Sequence, residues 1–119
     1  MLDNIIEIGM LYDFYGDLLP QKQKEIFGLY YDDNLSLGEI SEEYGLTRQG
    51  IHETIKRGEK KLREYEAKLG LIAKYKAEEK SINVLGSEID RIIQLRKDDR
   101  ELVKQLGILK GAVSELNKQ

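Results

Sequence analysis

LSLGEISEEYGLTRQGIHETIKR, residues 35–57, decides how the rest of the chain is read. It holds two short helical patterns separated by Gly45. Ser36 and Glu39 have the spacing of a capping box, in which the serine oxygen accepts a backbone N–H and the glutamate reaches back. Leu37, Ile40 and Tyr44 then mark one apolar face. Gly45 can adopt the left-handed backbone of a sharp turn, and Thr47 is placed as the N-cap of the next helix. In that helix Ile51, Ile55, Gly58 and Leu62 recur at i, i+4, i+7 and i+11, an inward stripe. Ser41 is a small residue where the helices would cross, and Ile51 an apolar anchor behind the second. These are the mechanical parts of a helix-turn-helix over about residues 36–58, with the second helix displayed so that its outer face can enter a groove about 12 Å wide.

Working outward, Ile5, Ile8, Tyr12, Tyr15 and Leu19 form an amphipathic N-terminal helix. Pro20 opens a second helix, where its missing N–H is harmless. That helix runs to about Tyr31 with Ile26, Leu29 and Tyr30 inward, and Asp32-Asp33-Asn34 ends it. Beyond Gly70, Ile82, Leu85, Ile89 and Ile92 make one helical run. Asp98 or Asp99 caps a last helix carrying Leu102, Leu106, Leu109, Val113 and Leu116 at alternating spacings of 4 and 3, a short heptad-like seam. The expected fold is all-α: a helix-turn-helix domain over 1–69 and a C-terminal helical extension over 70–119. The seam is expected to make a homodimer contact, with folding back onto the first helix as the other option.

Composition narrows the function. The chain has 119 residues, one proline and no cysteine. Disulfides and thiolate metal sites are thereby excluded, and a cytoplasmic setting is expected. Asp3, Glu7 and Asp13 interrupt the apolar residues that a signal peptide would need, and no stretch reaches the roughly 20 apolar residues of a membrane span. His52 is the lone histidine and cannot build a metal site by itself. Glu42-Glu43, Glu78-Glu79 and Asp98-Asp99 lack an apolar setting suited to acid–base work. There is no glycine-rich phosphate loop. No enzyme, cofactor or metal is expected. The seven tyrosines, residues 12, 15, 30, 31, 44, 65 and 75, recur at helical spacing and are expected in the core rather than on RNA bases.

The formal net charge of −3 argues against nucleic acid, but its distribution does not. Residues 1–46 carry ten acids and two bases, whereas residues 47–69 carry seven bases and four acids. The sign changes at Thr47, where the recognition helix starts. Gln49, Glu53, Lys56, Arg57 and Lys60 fall on its outer stripe. Gln49 and Glu53 suit base edges; Lys56, Arg57 and Lys60 suit phosphates. Arg48 lies at the helix start, where free N–H groups also favour an anion, and His52 lies on the flank. The same stripe also reads as an ordinary solvated face with Glu53–Lys56 and Glu64–Lys68 pairs.

LPQKQKEIFGLYYDDNLSLGEISEEYGLTRQGIHETIKRGEKKL, residues 19–62, resembles region 4 of bacterial sigma factors of the extracytoplasmic-function type, with its Leu-Pro opening, Leu-Ser, Glu-Ile and final Lys-Lys-Leu. The first 18 residues leave no room for a sigma region 2. With LYDFYGDLLPQKQ at 11–23, LYYDDNLSLGEISEEYGLTRQGIHETIKR at 29–57 and YEAKL at 65–69, the chain is similar to the YlxM family of small helix-turn-helix proteins. The resemblance is specific through about residue 69. It implies a regulatory DNA-binding protein, or an RNA or ribonucleoprotein accessory factor, tied to the signal recognition particle, whose GTPase genes usually neighbour those of the family. A protein-interaction module built on the acidic second and third helices is the remaining reading.

Overall fold

A computed structural model describes residues 2–117. Among them there are six α-helices and no strand: α1 (Leu2–Tyr15), α2 (Gln21–Tyr31), α3 (Leu37–Tyr44), α4 (Arg48–Leu69), α5 (Leu71–Leu95) and α6 (Arg100–Asn117). A 3-10 turn, Gly16–Leu18, joins α1 to α2. The backbone separates into two compact units, one reaching Ile72 and one starting at Ala73.

The local signals in residues 36–50 act as the sequence implies. The Ser36 hydroxyl accepts from the Glu39 N–H at 3.1 Å, and the Glu39 carboxylate accepts from the Ser36 N–H at 3.1 Å, closing the capping box. Such a cap is worth about 1 kcal/mol against alanine. Gly45 sits at φ 64°, ψ 32°, and both its own N–H and that of Leu46 reach the Ser41 carbonyl. A Cβ there would cost about 1–2 kcal/mol. Thr47 Oγ1 then accepts from the Gly50 N–H at 2.9 Å and starts α4. Asn34, at φ 57°, turns the chain between α2 and α3.

The core of the first unit forms where α1, α2 and α3 each pack on α4. Ile8, Leu11, Tyr15 and Leu19 meet Ile26, Phe27, Ile40, Ile51, Ile55 and Leu62. Phe27, absent from the expected inward set of α2, is fully buried, while Leu29 and Tyr30 are only half-buried. Phe27 stacks on Tyr12 at 5.3 Å and tilts against Tyr31 at 4.6 Å. A Cβ on Gly58 would stand 3.0 Å from the Phe27 ring, so glycine is what lets α4 approach α2 this closely. Ile5, expected inward, is 55% exposed: the stripe identifies the right face of α1, but the neighbours cover it only from Ile8 onward. Tyr15 is buried and Tyr12, Tyr30, Tyr31, Tyr44 and Tyr65 pack against the core, whereas Tyr75 lies exposed on α5.

Tyr15 also ends α4. Its hydroxyl donates to Glu66 Oε1 at 2.5 Å and accepts from the Leu71 N–H at 3.1 Å, while the same Glu66 oxygen accepts from the Ile72 N–H at 2.9 Å. With Gly70 at φ 62°, this clasp sets the break between α4 and α5. On α4's other flank, Arg63 pairs with Glu7 at 2.6 Å and Glu59 at 3.4 Å and donates to Asn4.

In the second unit, Asp99 rather than Asp98 caps α6, its carboxylate accepting from the Leu102 N–H at 3.1 Å. Lys110 on α6 pairs with Asp90 on α5 at 2.6 Å. Of the expected apolar runs, Ile89 and Leu106 are buried, but Leu85, Leu109 and Leu116 remain about half exposed. Among the described residues no helix is long and apolar enough to cross a membrane.

Candidate nucleic-acid interface

The first half of α4 is fixed from behind. Ile51, Ile55, Gly58 and Leu62 are buried, so rotation of the helix about its own axis is blocked by the core. The opposite surface is thereby turned to solvent. Arg48, Gln49, His52, Glu53, Lys56, Arg57 and Lys60 are all exposed. They span a little over three turns, about 18 Å at 1.5 Å per residue.

Their interactions are local and weak. The Gln49 amide donates to Glu53 Oε1 at 3.4 Å, one turn on. Lys56, itself exposed, lies 3.7 Å from the half-buried Glu59, a long pair rather than the Glu53 pairing expected from spacing. Arg57 donates to Thr54 Oγ1 at 3.3 Å, and Thr54 in turn donates to the Gly50 carbonyl at 2.9 Å. Cations held this loosely can re-aim toward phosphates at little cost, because such surface pairs are worth roughly 0–1 kcal/mol.

Two features of the interface depend on partners from another helix. A Cβ added at Gly38 would lie 3.1 Å from Arg48 Nε, so the guanidinium rests over the backbone of α3 and links the two helices of the motif. Ser41, read as the small crossing residue, is half-buried and donates to the Gly38 carbonyl at 2.8 Å. Beside Arg57, a cleft of about 440 Å³ runs between the start of α2 and α4, with Lys22 on its rim and Ile26 and Leu46 in its wall. Gln23 lines it, donating to the Thr54 carbonyl at 3.4 Å. Neither glycine nor Gln23 announces such a role by spacing, since each depends on a partner from another helix.

Electrostatically, the motif is divided. The α4 face presents four cations against Glu53, whereas Glu39, Glu42 and Glu43 are exposed on α3. Glu25, on α2, is held below the ordinary carboxylate range by hydrogen bonds from Gln21 and then Tyr44. Among the described residues no group of three His, Asp or Glu side chains is arranged to hold a metal ion.

Comparison with known proteins agrees with the helix-turn-helix fold. A family model described as "Putative helix-turn-helix protein, YlxM / p13 like" matches residues 2–105. A UPF0122 protein of Thermoanaerobacter sp. (strain X514) is 40% identical over 117 residues, covering 98% of this chain and 99% of the relative. Another from Desulforamulus reducens is 43% identical over 104 residues, with 87% and 88% covered. One from Listeria innocua is 39% identical over 106 residues, with 89% and 96% covered. The match runs beyond residue 69 through α5 and into α6, so the similarity extends past the helix-turn-helix. That family is one of helix-turn-helix proteins rather than of enzymes. By the length of the match and the identity of its relatives, this chain belongs to the YlxM / p13-like helix-turn-helix family.

Proposed function

We propose that the chain is a non-enzymatic, cytoplasmic DNA-binding regulator that places the first half of α4 in the major groove. One observation carries the reading: Arg48, Gln49, His52, Glu53, Lys56, Arg57 and Lys60 share the solvent side of a helix whose other side is locked into the core. In the proposed complex Gln49 and Glu53 face base edges, which demand directional acceptors and donors. Lys56, Arg57 and Lys60 neutralise phosphates, and Arg48 holds the start of the helix against the strand. Homodimerisation would give two such helices per assembly, as expected for a two-fold operator. The link to the signal recognition particle rests on the family resemblance alone.

The test is a gel shift on duplex DNA over a range of salt. Wild-type affinity falls steeply with salt, and Lys56→Ala lowers the slope of log affinity against log salt by about 1. Binding indifferent to both salt and this substitution would reject the reading. Competition by folded signal recognition particle RNA, far stronger than by duplex DNA, would redirect the same surface to RNA.

A second reading is supported by the exposed Glu42 and Glu43 on α3, whose charge suits a basic protein partner. Under it, reversal of both charges abolishes capture of that partner while Lys56→Ala leaves capture intact.

A further inference from the structure

The second unit has more apolar surface than it covers. A four-residue connection, 96–99, joins α5 to α6, and Asp90 meets Lys110 across it, so the two helices run antiparallel. Each helix carries two heptad stripes. On α5 these are Ile82/Ile89 and Leu85/Ile92; on α6 they are Leu106/Val113 and Leu102/Leu109/Leu116. In a two-stranded coil both stripes would face the one partner. In this unit Ile89 and Leu106 are buried, while Leu85, Leu109 and Leu116 are 51%, 54% and 53% exposed.

The direction of the uncovered stripes follows from helical geometry. At about 100° per residue, Leu85 and Ile92 are displaced from Ile89 by roughly 40–60° in one rotational sense. Leu102, Leu109 and Leu116 are displaced from Leu106 by roughly 40–80° in the same sense. In antiparallel helices equal senses fall on the same side of the pair. The five residues therefore lie on one side of the pair, Leu85, Leu109 and Leu116 exposed and Ile92 and Leu102 half-buried toward the seam, and the Asp90–Lys110 pair lies on the reverse side.

We infer that this face is covered by the same face of a second copy of the chain, closing an antiparallel four-helix bundle. A helix with one stripe turned to its hairpin mate and the other covered only in part is the pattern of a bundle, where every helix has two neighbours. The face is about 27 Å long, from the 18 residues of α6 at 1.5 Å each, and about 20 Å wide across two helices. That is a footprint of about 540 Å² per partner, or about 1,080 Å² for the two together, just above the roughly 1,000 Å² that a specific interface needs. A second copy brings an identical heptad face, so the contact closes on itself by two-fold symmetry. From Ile8 onward the α1 stripe already meets α2 and α4 in the core of the first unit, which leaves only Ile5 of that stripe open. This deepens the proposed homodimer by naming its interface, and it needs no nucleic acid, so its failure is separable from failure of DNA binding.

The test is light scattering of the full chain at micromolar concentration. The wild type has twice the mass of one chain. Leu109→Ala weakens dimerisation at least tenfold, whereas Ile108→Ala, 68% exposed on the same helix but off the face, leaves it unchanged. Leu109→Glu gives a single chain with its helical circular dichroism retained; should that variant not fold, the alanine pair still decides. A wild type with the mass of one chain, including one that recruits a different protein to this face, overturns the inference. So does a dimer that the two alanine substitutions affect equally.

Discussion

The two units of this molecule are both helical, yet one closes its core and the other does not. In the first, three helices converge on α4 and enclose Phe27, Ile40, Ile51 and Leu62 without measurable exposure. In the second, two helices bury Ile89 and Leu106 and leave Leu85, Leu109 and Leu116 half open. The difference teaches that amphipathic periodicity specifies a face, whereas the number of neighbours decides whether that face is satisfied. Four helices can surround a core. Two cannot, whatever the quality of their pattern.

The largest expected effect tests whether the contrast is energetic as well as geometric. Phe27→Ala removes a ring wedged between Tyr12, Tyr31 and Gly58 and lowers unfolding free energy by about 3–5 kcal/mol. Ile108→Ala on α6 changes it by less than about 0.5 kcal/mol. Urea unfolding followed by circular dichroism measures both, and similar costs would break the comparison.

Glycine gives a contrast of sign. Gly45→Ala forces a Cβ into the left-handed turn and destabilises by about 1–2 kcal/mol. Gly107→Ala, inside α6 with open space around it, stabilises by about 0.5–1 kcal/mol. Melting temperatures of the two variants should move in opposite directions; movement in the same direction would mean that one of the two glycines is misjudged.

The smallest effect is a dependence on alkaline pH that belongs to the first unit. Burial, and then the Glu66 hydrogen bond, raises the Tyr15 hydroxyl above its ordinary value. Burial does the same first for Tyr12, Tyr31 and Tyr44. Each hydroxyl thus binds its proton more tightly when folded. The associated stability is intact below the unfolded value of about 10 and falls as pH rises past it. Denaturant midpoints on either side of pH 10 check this, and Tyr15→Phe should flatten the decline; a steeper decline in the variant would reverse the sign assigned to Tyr15.

What the sequence made legible was local. Ser36, Glu39, Gly45 and Thr47 act within five residues of themselves, and the buried side of α4 follows from its own periodicity. The outer side of α4 was legible as the complement of that stripe. What stayed hidden depended on long-range partners. Tyr15 reaches Glu66 across 51 residues, and Arg63 reaches Glu7 across 56. Gly38 and Gly58 carry meaning only through the Arg48 and Phe27 side chains set against them. Ile5 and Tyr75 lie exposed although their spacing predicts the core, because periodicity does not say where along a helix its neighbours stop.

One consequence follows from α4 being a single unbroken rod of 22 residues. Gln49 stands near one tip and Glu66, gripped by Tyr15, near the other, about 25 Å away at 1.5 Å per residue. Pivoting that rod by about 5° at the gripped end sweeps the far tip through roughly 2 Å, a displacement comparable to the length of the hydrogen bonds a base edge would require. In the proposed complex the aim of that tip is therefore leveraged on a phenol and a carboxylate that no groove-bound ligand would touch.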